Sequence, residues 1–420
     1  MSRSSPMMDR TPPPMLEPPT AAVSAAPPAL RLDARRPGQT PRRPDVAAES
    51  AARRRRPDRV PLYATIVHAV VVGAGFWLIR VDAERTWLGT LATFAPRQLW
   101  LLPALAAMPL TIRASRSLAL ANAVTAICAL LGLTGFSAGA LWQCLDASPP
   151  APSAQPPAKA VPQQDVSAAD PAEARSTGPI RLTVASLNVQ QFEGSLPTLL
   201  AELSRFNPDV ITLQEAVSLP GVLREYLHPY YWVHDGEFVI AARYPLRPLG
   251  RVRVSETERQ TALAALLDCH GQSIAVATLH LETPRKGFES LTPGNLLRGD
   301  AQAAIRLNTF VRGLESARTA AHLRRLAADA PLIVTGDWNT PRSSRVFEPW
   351  KDLRSTFAAA GWGFGYTAPC SPRRRWLPGL AWVRIDHILV SDHWDVARAL
   401  VGTANGSDHR LVVAEVRLIR

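Results

Sequence analysis

The chain has 420 residues, of which 47% are hydrophobic and 20% are charged, and its formal net charge is +12. This length argues against one compact domain. Half of the net positive charge lies in residues 1–61, where twelve arginines oppose six acidic residues, whereas residues 179–420 hold 28 basic and 23 acidic residues. The C-terminal part is therefore only mildly basic, which argues against a general polyanion-binding protein.

Residues 1–60 have the composition of a disordered tail. They are rich in proline, alanine and arginine, and the run Arg53–Arg56 lies close to their end. No hydrophobic period in this stretch defines a face that a helix or strand could bury. We therefore predict no folded domain before residue 61.

Residues 61–143 contain three apolar runs and predict a membrane segment of three transmembrane helices. The runs are Pro61–Ile79, Leu99–Ile112 and Leu118–Trp142. A helix needs about 20 residues to cross a hydrocarbon core of roughly 30 Å, so the second run spans only if it extends back toward Trp87 and Arg97 snorkels to the interface. The alternatives are buried helices of a soluble core and a cleaved signal peptide. The close succession of the runs, and their distance from the N-terminus, favour a membrane anchor.

The arginines around these runs predict the orientation of the anchor. Arg53 to Arg59 precede the first run, and Arg113 and Arg116 separate the second from the third. By the positive-inside rule the N-terminus is cytoplasmic, and three spans then place the following domain in the periplasm or outside the cell. Two spans instead of three would reverse the side of that domain.

Residues 144–178 predict an extended linker, because they are rich in alanine and proline and nearly free of large apolar residues. Residues 179–420 predict a single α/β (α+β) domain, in which short β-rich runs alternate with helical stretches. The runs with strand character are Leu182–Leu187, Val210–Leu213, Phe238–Ala241, Ser273–Leu279, Leu332–Thr335, Ile385–Val390 and Leu411–Val416.

Polar side chains follow or flank the strands of this domain repeatedly. The six motifs are Ser186-Leu187-Asn188, Leu213-Gln214-Glu215, Thr278-Leu279-His280, Gly336-Asp337-Trp338-Asn339, Arg384-Ile385-Asp386-His387 and Ser407-Asp408-His409. Strand ends meet at one rim of a sheet, so these side chains are expected to converge in a cleft. Carboxylates and amides suit Mg²⁺ or Mn²⁺, and neighbouring histidines can contact a phosphate oxygen or exchange a proton. The combination predicts hydrolysis of phosphate esters.

Other catalytic templates lack their central parts. The domain contains no GxxxxGK[ST] loop, no HExxH helix and no GxSxG elbow. Its cysteines show no CxxC spacing that would indicate a zinc site, although a disulfide between Cys269 and Cys370 stays open.

In these six motifs, taken in order, the sequence resembles the endonuclease/exonuclease/phosphatase superfamily over roughly residues 180–420. Val239 to Leu246 also resembles that family's SRYPL segment, with Ala242 in place of the serine. The resemblance implies a four-layered sandwich of two mixed β-sheets flanked by helices, with the active site at one rim. It further implies a Mg²⁺-dependent hydrolase, with Mn²⁺ as the alternative cofactor.

The resemblance also implies roles for the motif residues. Glu215 would be the principal metal ligand, with Asn188 and Asp408 completing its shell. Asp337 and Asn339 would position the attacking water and the phosphate. His409, oriented by Asp386, would act on the phosphoryl oxygen or the proton, and His280 would be a second phosphate contact. Whether Asp337 or His409 is the base stays open.

Arg373, Arg374 and Arg375 lie in a loop just before the Asp386 strand and are candidate substrate contacts, because guanidinium groups suit phosphate oxygens. The expected partners are the lipid bilayer and a phosphate-ester substrate, either a lipid head group or a nucleic acid. An anchored phosphodiesterase or phosphatase is favoured. The alternatives are an extracytoplasmic endonuclease and a non-catalytic membrane scaffold.

Overall fold

The structure is a computed structural model that describes residues 59–141, 178–370, 379–403 and 406–419. Most of the predicted tail, nearly all of the predicted linker, and Arg373 to Arg375 lie outside the described residues.

The N-terminal part of the described chain is helical. Its elements are α1 (Val60–Phe76, continued by a π-helical turn Trp77–Asp82), α2 (Trp87–Phe94), a 3₁₀ turn (Arg97–Leu101), α3 (Leu102–Ala114), α4 (Arg116–Gly132) and β1 (Ser137–Ala138). Within the described ranges, one helical stretch, Val60–Asp82, has the length and apolar composition of a membrane span, and α4 is apolar but shorter.

The second and third apolar runs differ from their predicted bounds. Arg97 does not snorkel: it is 4% exposed, and its guanidinium donates to the backbone carbonyl of Leu133 and to the hydroxyl of Ser343. The helix of the third run, α4, ends at Gly132. The chain then joins the C-terminal domain, where the Tyr366 hydroxyl donates to the carbonyl of Thr134 at 2.8 Å. The prediction of a continuous span to Trp142 is therefore wrong.

The C-terminal domain is built from two six-stranded sheets in the described part of the chain. The first has the order β13-β14-β2-β3-β5-β4, with β2 (Arg181–Asn188), β3 (Val210–Gln214), β4 (Tyr231–Asp235), β5 (Phe238–Ala242), β13 (Trp394–Val401) and β14 (Val412–Leu418). The second has the order β10-β12-β9-β8-β7-β6, with β6 (Leu246–Val254), β7 (Arg259–Cys269), β8 (Gln272–His280), β9 (Leu332–Asp337), β10 (Arg354–Ser355) and β12 (Asp386–Val390). A further strand, β11 (Trp362–Gly363), pairs with β1.

Each sheet is mixed, with one parallel pair at its centre and antiparallel neighbours on both sides. The parallel pairs are β2 with β3 and β8 with β9. In the second pair the last residues, His280 and Asp337, are register partners, and Asp386 at the start of β12 faces Asp337 across the next ladder. The register therefore brings these three polar residues to one rim.

The helices of the domain flank the two sheets. They are α5 (Leu196–Phe206), α6 (Gly221–Tyr226), α7 (Arg285–Phe288), α8 (Pro293–Arg298), α9 (Asp300–Ala327) and α10 (Thr356–Ala360). Leu199 and Leu203 of α5 pack on the first sheet, Leu323 of α9 packs on the second, and a third apolar core lies between the sheets. This layering is an α/β fold of two mixed sheets flanked by helices, as predicted.

A buried ion pair joins the N-terminal helices to the C-terminal domain. Glu84, in the turn after α1, lies 2.7 Å from Arg312 of α9, and both side chains are fully buried. Arg312 also donates to the carbonyl of Asn339 and to the Thr340 hydroxyl, and its guanidinium lies over the ring of Phe94. Residues Arg59–Arg420 accordingly form one compact unit.

We expect Arg312→Met to lower the free energy of unfolding by roughly 3–5 kcal/mol, because it leaves the Glu84 carboxylate buried without its partner. Adding Glu84→Gln should recover part of that loss. Arg398→Met is the matched control, since Arg398 and its partner Glu415 are largely exposed and such pairs contribute about 1 kcal/mol or less. Thermal unfolding of the full-length protein in detergent measures the difference, and equal effects of Arg312→Met and Arg398→Met would contradict the prediction.

Candidate active site

Seven of the predicted site residues lie at or next to strand ends on the shared rim. Asn188, His280 and Asp337 are the last residues of β2, β8 and β9, and Asp386 is the first of β12. Glu215 follows β3 directly, and Asp408 and His409 come just before β14. The strand ends therefore bring these side chains together at one rim.

Two carboxylates converge on the amide of Asn188. Its Nδ2 group donates to Glu215 at 2.8 Å and to Asp337 at 3.2 Å. Glu215 has a positive φ of 56°, a conformation that few non-glycine residues adopt, while its side chain stays 28% exposed. The turn after β3 thus turns this carboxylate toward the rim, with one side open to solvent.

His409 is held between three carboxylates. Its Nδ1 lies 2.9 Å from Asp386, while its Nε2 lies 3.7 Å from Asp337 and 4.0 Å from Asp408. Burial alone would lower the pKa of His409, but the charges of Asp386 and Asp337 outweigh it and raise the pKa to about 10. His409 is therefore cationic at neutral pH.

His280 forms a second histidine–carboxylate pair on the other side of Asp337. Its Nδ1 lies 3.2 Å from Glu237, and its Nε2 faces Glu215 at 3.7 Å and Asp337 at 3.9 Å. Burial would lower the pKa of His280, but the hydrogen bond with Glu237 and the charges of Asp337, Glu237 and Glu215 raise it. Glu237 was missed in the sequence because it follows Gly236 in a hairpin turn, where an acidic residue is usually a solvated turn residue.

Asp337 is the centre of the cluster. It is 1% exposed, and burial together with the neighbouring Asp386 charge raises its pKa to about 6, although His409 and His280 oppose the shift. The backbone N–H of Asn339 donates to one of its oxygens at 2.7 Å. The Asn339 side chain itself donates to the carbonyl of Leu281, which fixes the loop after β9.

Hydroxyl groups that the sequence analysis did not assign support the rim. The Thr367 hydroxyl accepts the backbone N–H groups of Ile385 and Asp386 at 3.1 and 3.2 Å. The Ser407 hydroxyl donates to the carbonyl of Asn188 and accepts the N–H of His409. The contact of Thr367 with the Asp386 strand and that of Ser407 with Asn188 join segments that are distant in sequence, so no local pattern indicates them.

His387 faces away from the cleft, as alternation along a strand predicts. It is buried against the rings of Trp338 and Phe347, and its Nε2 lies 3.1 Å from the carbonyl of Thr340. Cys269 and Cys370 are both buried free thiols, so the structure has no disulfide between them.

The donor set fits a hard divalent cation, because the cluster is rich in carboxylate oxygens and poor in sulfur. Asp337, Asp386 and His409 offer ligand atoms that all lie within 4.8 Å of one another. This set differs from the predicted ligands Asn188, Glu215 and Asp408. In this set, the Nδ1 atom of His409 already lies within hydrogen-bond distance of Asp386. Glu215 is less buried, and its carboxylate accepts a hydrogen bond from the side-chain amide of Asn188.

Comparison with known proteins identifies relatives of the C-terminal domain. The model of the Endonuclease/Exonuclease/phosphatase family matches residues 185–409. No curated protein matches the chain.

Several solved structures resemble the C-terminal domain. A family protein from Bacteroides thetaiotaomicron is 14% identical, covering 58% of this chain and 100% of that one, with a TM-score of 0.40. The human Nocturnin catalytic domain with bound sulfate is 18% identical, covering 57% and 95%, with a TM-score of 0.40. A mannosyl-6-phosphatase from Bacteroides thetaiotaomicron is 16% identical, covering 57% and 100%, with a TM-score of 0.41.

We expect Glu237→Gln to lower the pKa of His280, because the carboxylate that stabilises the imidazolium is removed while the side-chain shape is kept. NMR titration of histidine-labelled, metal-free protein measures the shift, with His280→Asn used to assign the signal. Asp235→Asn in the same hairpin is the control, since Asp235 pairs with the exposed Arg251 instead. A His280 pKa that is the same in Glu237→Gln and the control would show that Glu237 does not position this ring.

Proposed function

Since the chain belongs to the endonuclease/exonuclease/phosphatase family, we propose that it is a membrane-anchored, metal-dependent hydrolase of phosphate esters. The observation that carries the proposal is the placement of two histidine–carboxylate pairs, Asp386–His409 and Glu237–His280, on either side of the buried Asp337. A passive binding module has no need for buried, mutually repelling carboxylates at this density, because they cost stability. This argues against the scaffold alternative.

Glu215 and Asn188 are the residues that we propose to hold the metal, with Asp408 as a further ligand. When bound, Mg²⁺ would stabilise the negative charge that develops on the phosphate oxygens. Glu215 suits this role because it is partly exposed and directly adjacent to the Asn188 amide. Asp337 and Asp386 are almost fully buried and are already engaged with the two histidines.

The charges of the cluster suggest separate roles for Asp337 and His409. His409, cationic between Asp386 and Asp337, would stabilise a phosphoryl oxygen, as a preorganised positive group does in a buried site. Asp337, whose carboxylate accepts the Asn339 N–H and the Asn188 amide, would orient the attacking water and take its proton. His280 would contact a second phosphate oxygen from the opposite side.

The docking of the N-terminal helices favours a lipid-linked phosphate as the substrate. Glu84 comes two residues after Asp82, the last residue of the apolar helix, and its partner Arg312 bonds to the carbonyl of Asn339 in the site loop. If Val60–Asp82 spans a bilayer, the rim lies close to the head groups. The nuclease alternative is weakened by the small charge excess of the domain, since tight duplex binding requires an extended basic surface.

The same contacts are compatible with one crossing or with the predicted three, and Val60–Asp82 is the one helix of the described residues with the length of a span. The end of the first helix, at Glu84, and the chain after the third, at Thr134, both contact the C-terminal domain. Three crossings would therefore leave the N-terminus on the opposite side of the membrane from the active site. The division into tail, anchor, linker and catalytic domain stays a prediction.

A reporter fused after Arg420 tests this topology. We expect an alkaline phosphatase fusion to be active and a green fluorescent protein fusion to be dark, because the C-terminus should be extracytoplasmic. The matched control is the same pair of reporters fused after Arg59, which should give the opposite result. A fluorescent C-terminal fusion in a membrane fraction would overturn the orientation.

Glu215→Gln and His409→Gln should each lower kcat by about 100-fold or more, as the loss of an electrostatic or acid–base group typically does. The folded state should be retained, because both side chains lie at the rim. Glu225→Gln and His228→Gln, which change exposed residues of the same types, serve as controls. Wild-type turnover in either site variant would show that its assigned role is wrong.

A substrate panel identifies the reaction. Full-length protein in detergent is assayed with Mg²⁺ and with excess EDTA on phospholipids, plasmid DNA, RNA and soluble phosphate esters. We expect hydrolysis that depends on the metal, with a lipid-linked phosphate as the best substrate. Cleavage of nucleic acid alone would favour the endonuclease alternative, and no hydrolysis of any class would favour the scaffold.

A further inference from the structure

A second, separate cluster of charged groups lies where the N-terminal helices meet the catalytic domain. It surrounds a cavity of about 180 Å³, lined by the end of α4, the segment Thr134 to Ser137, the loop after Asn339 and the chain before Asp386. Four arginines line it, namely Arg80, Arg97, Arg342 and Arg384. Among the described lining residues there is no aspartate or glutamate.

Within the described part of the chain, none of the four guanidinium groups forms an ion pair with a carboxylate. Arg80 and Arg384 donate to the backbone carbonyls of Gly132 and Phe364, and Arg97 donates to carbonyls and a hydroxyl. The Nε atoms of Arg97 and Arg384 are buried without a hydrogen-bond partner. Glu84, the carboxylate that attracts Arg97 at longer range, is already paired with Arg312. The cavity therefore has an excess of positive charge.

Arg97 is buried and Arg384 is half-buried, whereas Arg80 and Arg342 are exposed at the mouth of the cavity. The two inner guanidinium groups are costly unless an anion occupies the cavity, because buried charges that lack partners lose their hydration without compensation. Burial, with the like charges of Arg342 and Arg97, lowers the pKa of Arg384 to about 9. The cavity has room for about six water molecules at roughly 30 Å³ each, which is also ample for a phosphate group. Guanidinium forks bind phosphate oxygens through paired, charge-assisted hydrogen bonds.

An apolar stripe on α4 leads to this cavity. Leu120, Val124, Ile127 and Leu131 recur at helical spacing, and each is about half or more exposed. Leu131, the last of them, is part of the cavity lining. A chain-like apolar group on this stripe would therefore have its head at the arginines.

We propose that the cavity binds the phosphate of an anionic phospholipid whose acyl chain lies along the exposed stripe of α4. This site is separate from the proposed catalytic centre, and the inference does not depend on what that centre hydrolyses. The bound lipid would neutralise the four arginines and stabilise the contact between the helices and the catalytic domain.

The test compares anions on full-length protein delipidated in neutral detergent. Phosphatidylglycerol, phosphatidylcholine and inorganic phosphate are titrated, and the rise in unfolding temperature gives an apparent Kd. The variants are Arg342→Gln, and Arg342→Gln combined with Arg80→Gln, which change exposed arginines of the lining. Arg345→Gln is the matched control, because Arg345 is exposed, three residues from Arg342 and outside the lining.

We expect phosphatidylglycerol to stabilise the wild type and Arg345→Gln alike. The double variant should bind phosphatidylglycerol about tenfold or more weakly, because it loses two charge-assisted contacts. Hydrolysis of a soluble phosphate diester, if wild type shows it, should be unchanged in Arg342→Gln. Equal lipid affinity in the double variant and the wild type would overturn the proposal. Full stabilisation by inorganic phosphate, or equal stabilisation by phosphatidylcholine, would overturn the assignment to an anionic lipid.

Discussion

The fully buried pair of Glu84 and Arg312 is the contact through which the N-terminal helices and the catalytic loop depend on each other. Burying two charges costs several kcal/mol per ion, which their attraction and further hydrogen bonds must offset. Here the carbonyl of Asn339 and the hydroxyl of Thr340 accept further hydrogen bonds from Arg312, whereas Glu84 Oε1 and Arg312 Nε are buried without a hydrogen-bond partner among the described residues. The loop that follows Asp337 is thereby fixed by a residue of the turn after α1. Together with the contacts of Arg97 with Ser343 and of Thr134 with Tyr366, this ion pair fixes the position of the site relative to the helices.

Both sheets contribute to the site in the same way, through the ends of their central parallel strands. Each parallel pair ends at the rim, and buried polar side chains join the sheets just below it. Gln214 of the first sheet donates to the Thr278 hydroxyl at 2.7 Å, and Thr335 of the second donates to Thr212 at 2.8 Å. Such hydrogen bonds across an apolar core have one correct register, because a slip of one residue leaves them buried and unsatisfied. They therefore hold the strand ends opposite each other, which sets the distances around Asp337.

The sequence predicted those parts of the molecule that are encoded locally. The six motifs mark strand ends, so the sequence alone predicts one shared rim for Asn188, Glu215, His280, Asp337, Asp386 and His409. Glu237 could not, because an acidic residue beside a turn glycine carries no signal of its partner. The end of α4 was also misjudged, since hydropathy continues past Gly132 while the structure turns there toward the contact between Thr134 and Tyr366. Arg97 was expected to snorkel to the membrane interface, because its acceptor Ser343 is distant in sequence and no local pattern indicates that contact.

The segments that carry two carboxylates of the proposed active site also carry two of the cavity arginines. Asp337 is the last residue of β9 and Arg342 lies on the loop that follows it, while Arg384 is two residues before Asp386. The site gathers negative charge, which the two histidines offset and the proposed metal would offset further, and the cavity gathers positive charge, which the proposed anion would offset. Because the same two segments carry both clusters, an anion bound at the arginines, as proposed, would stabilise the contact between the helices and this part of the C-terminal domain. A bilayer would supply such an anion only where the helices are embedded in it.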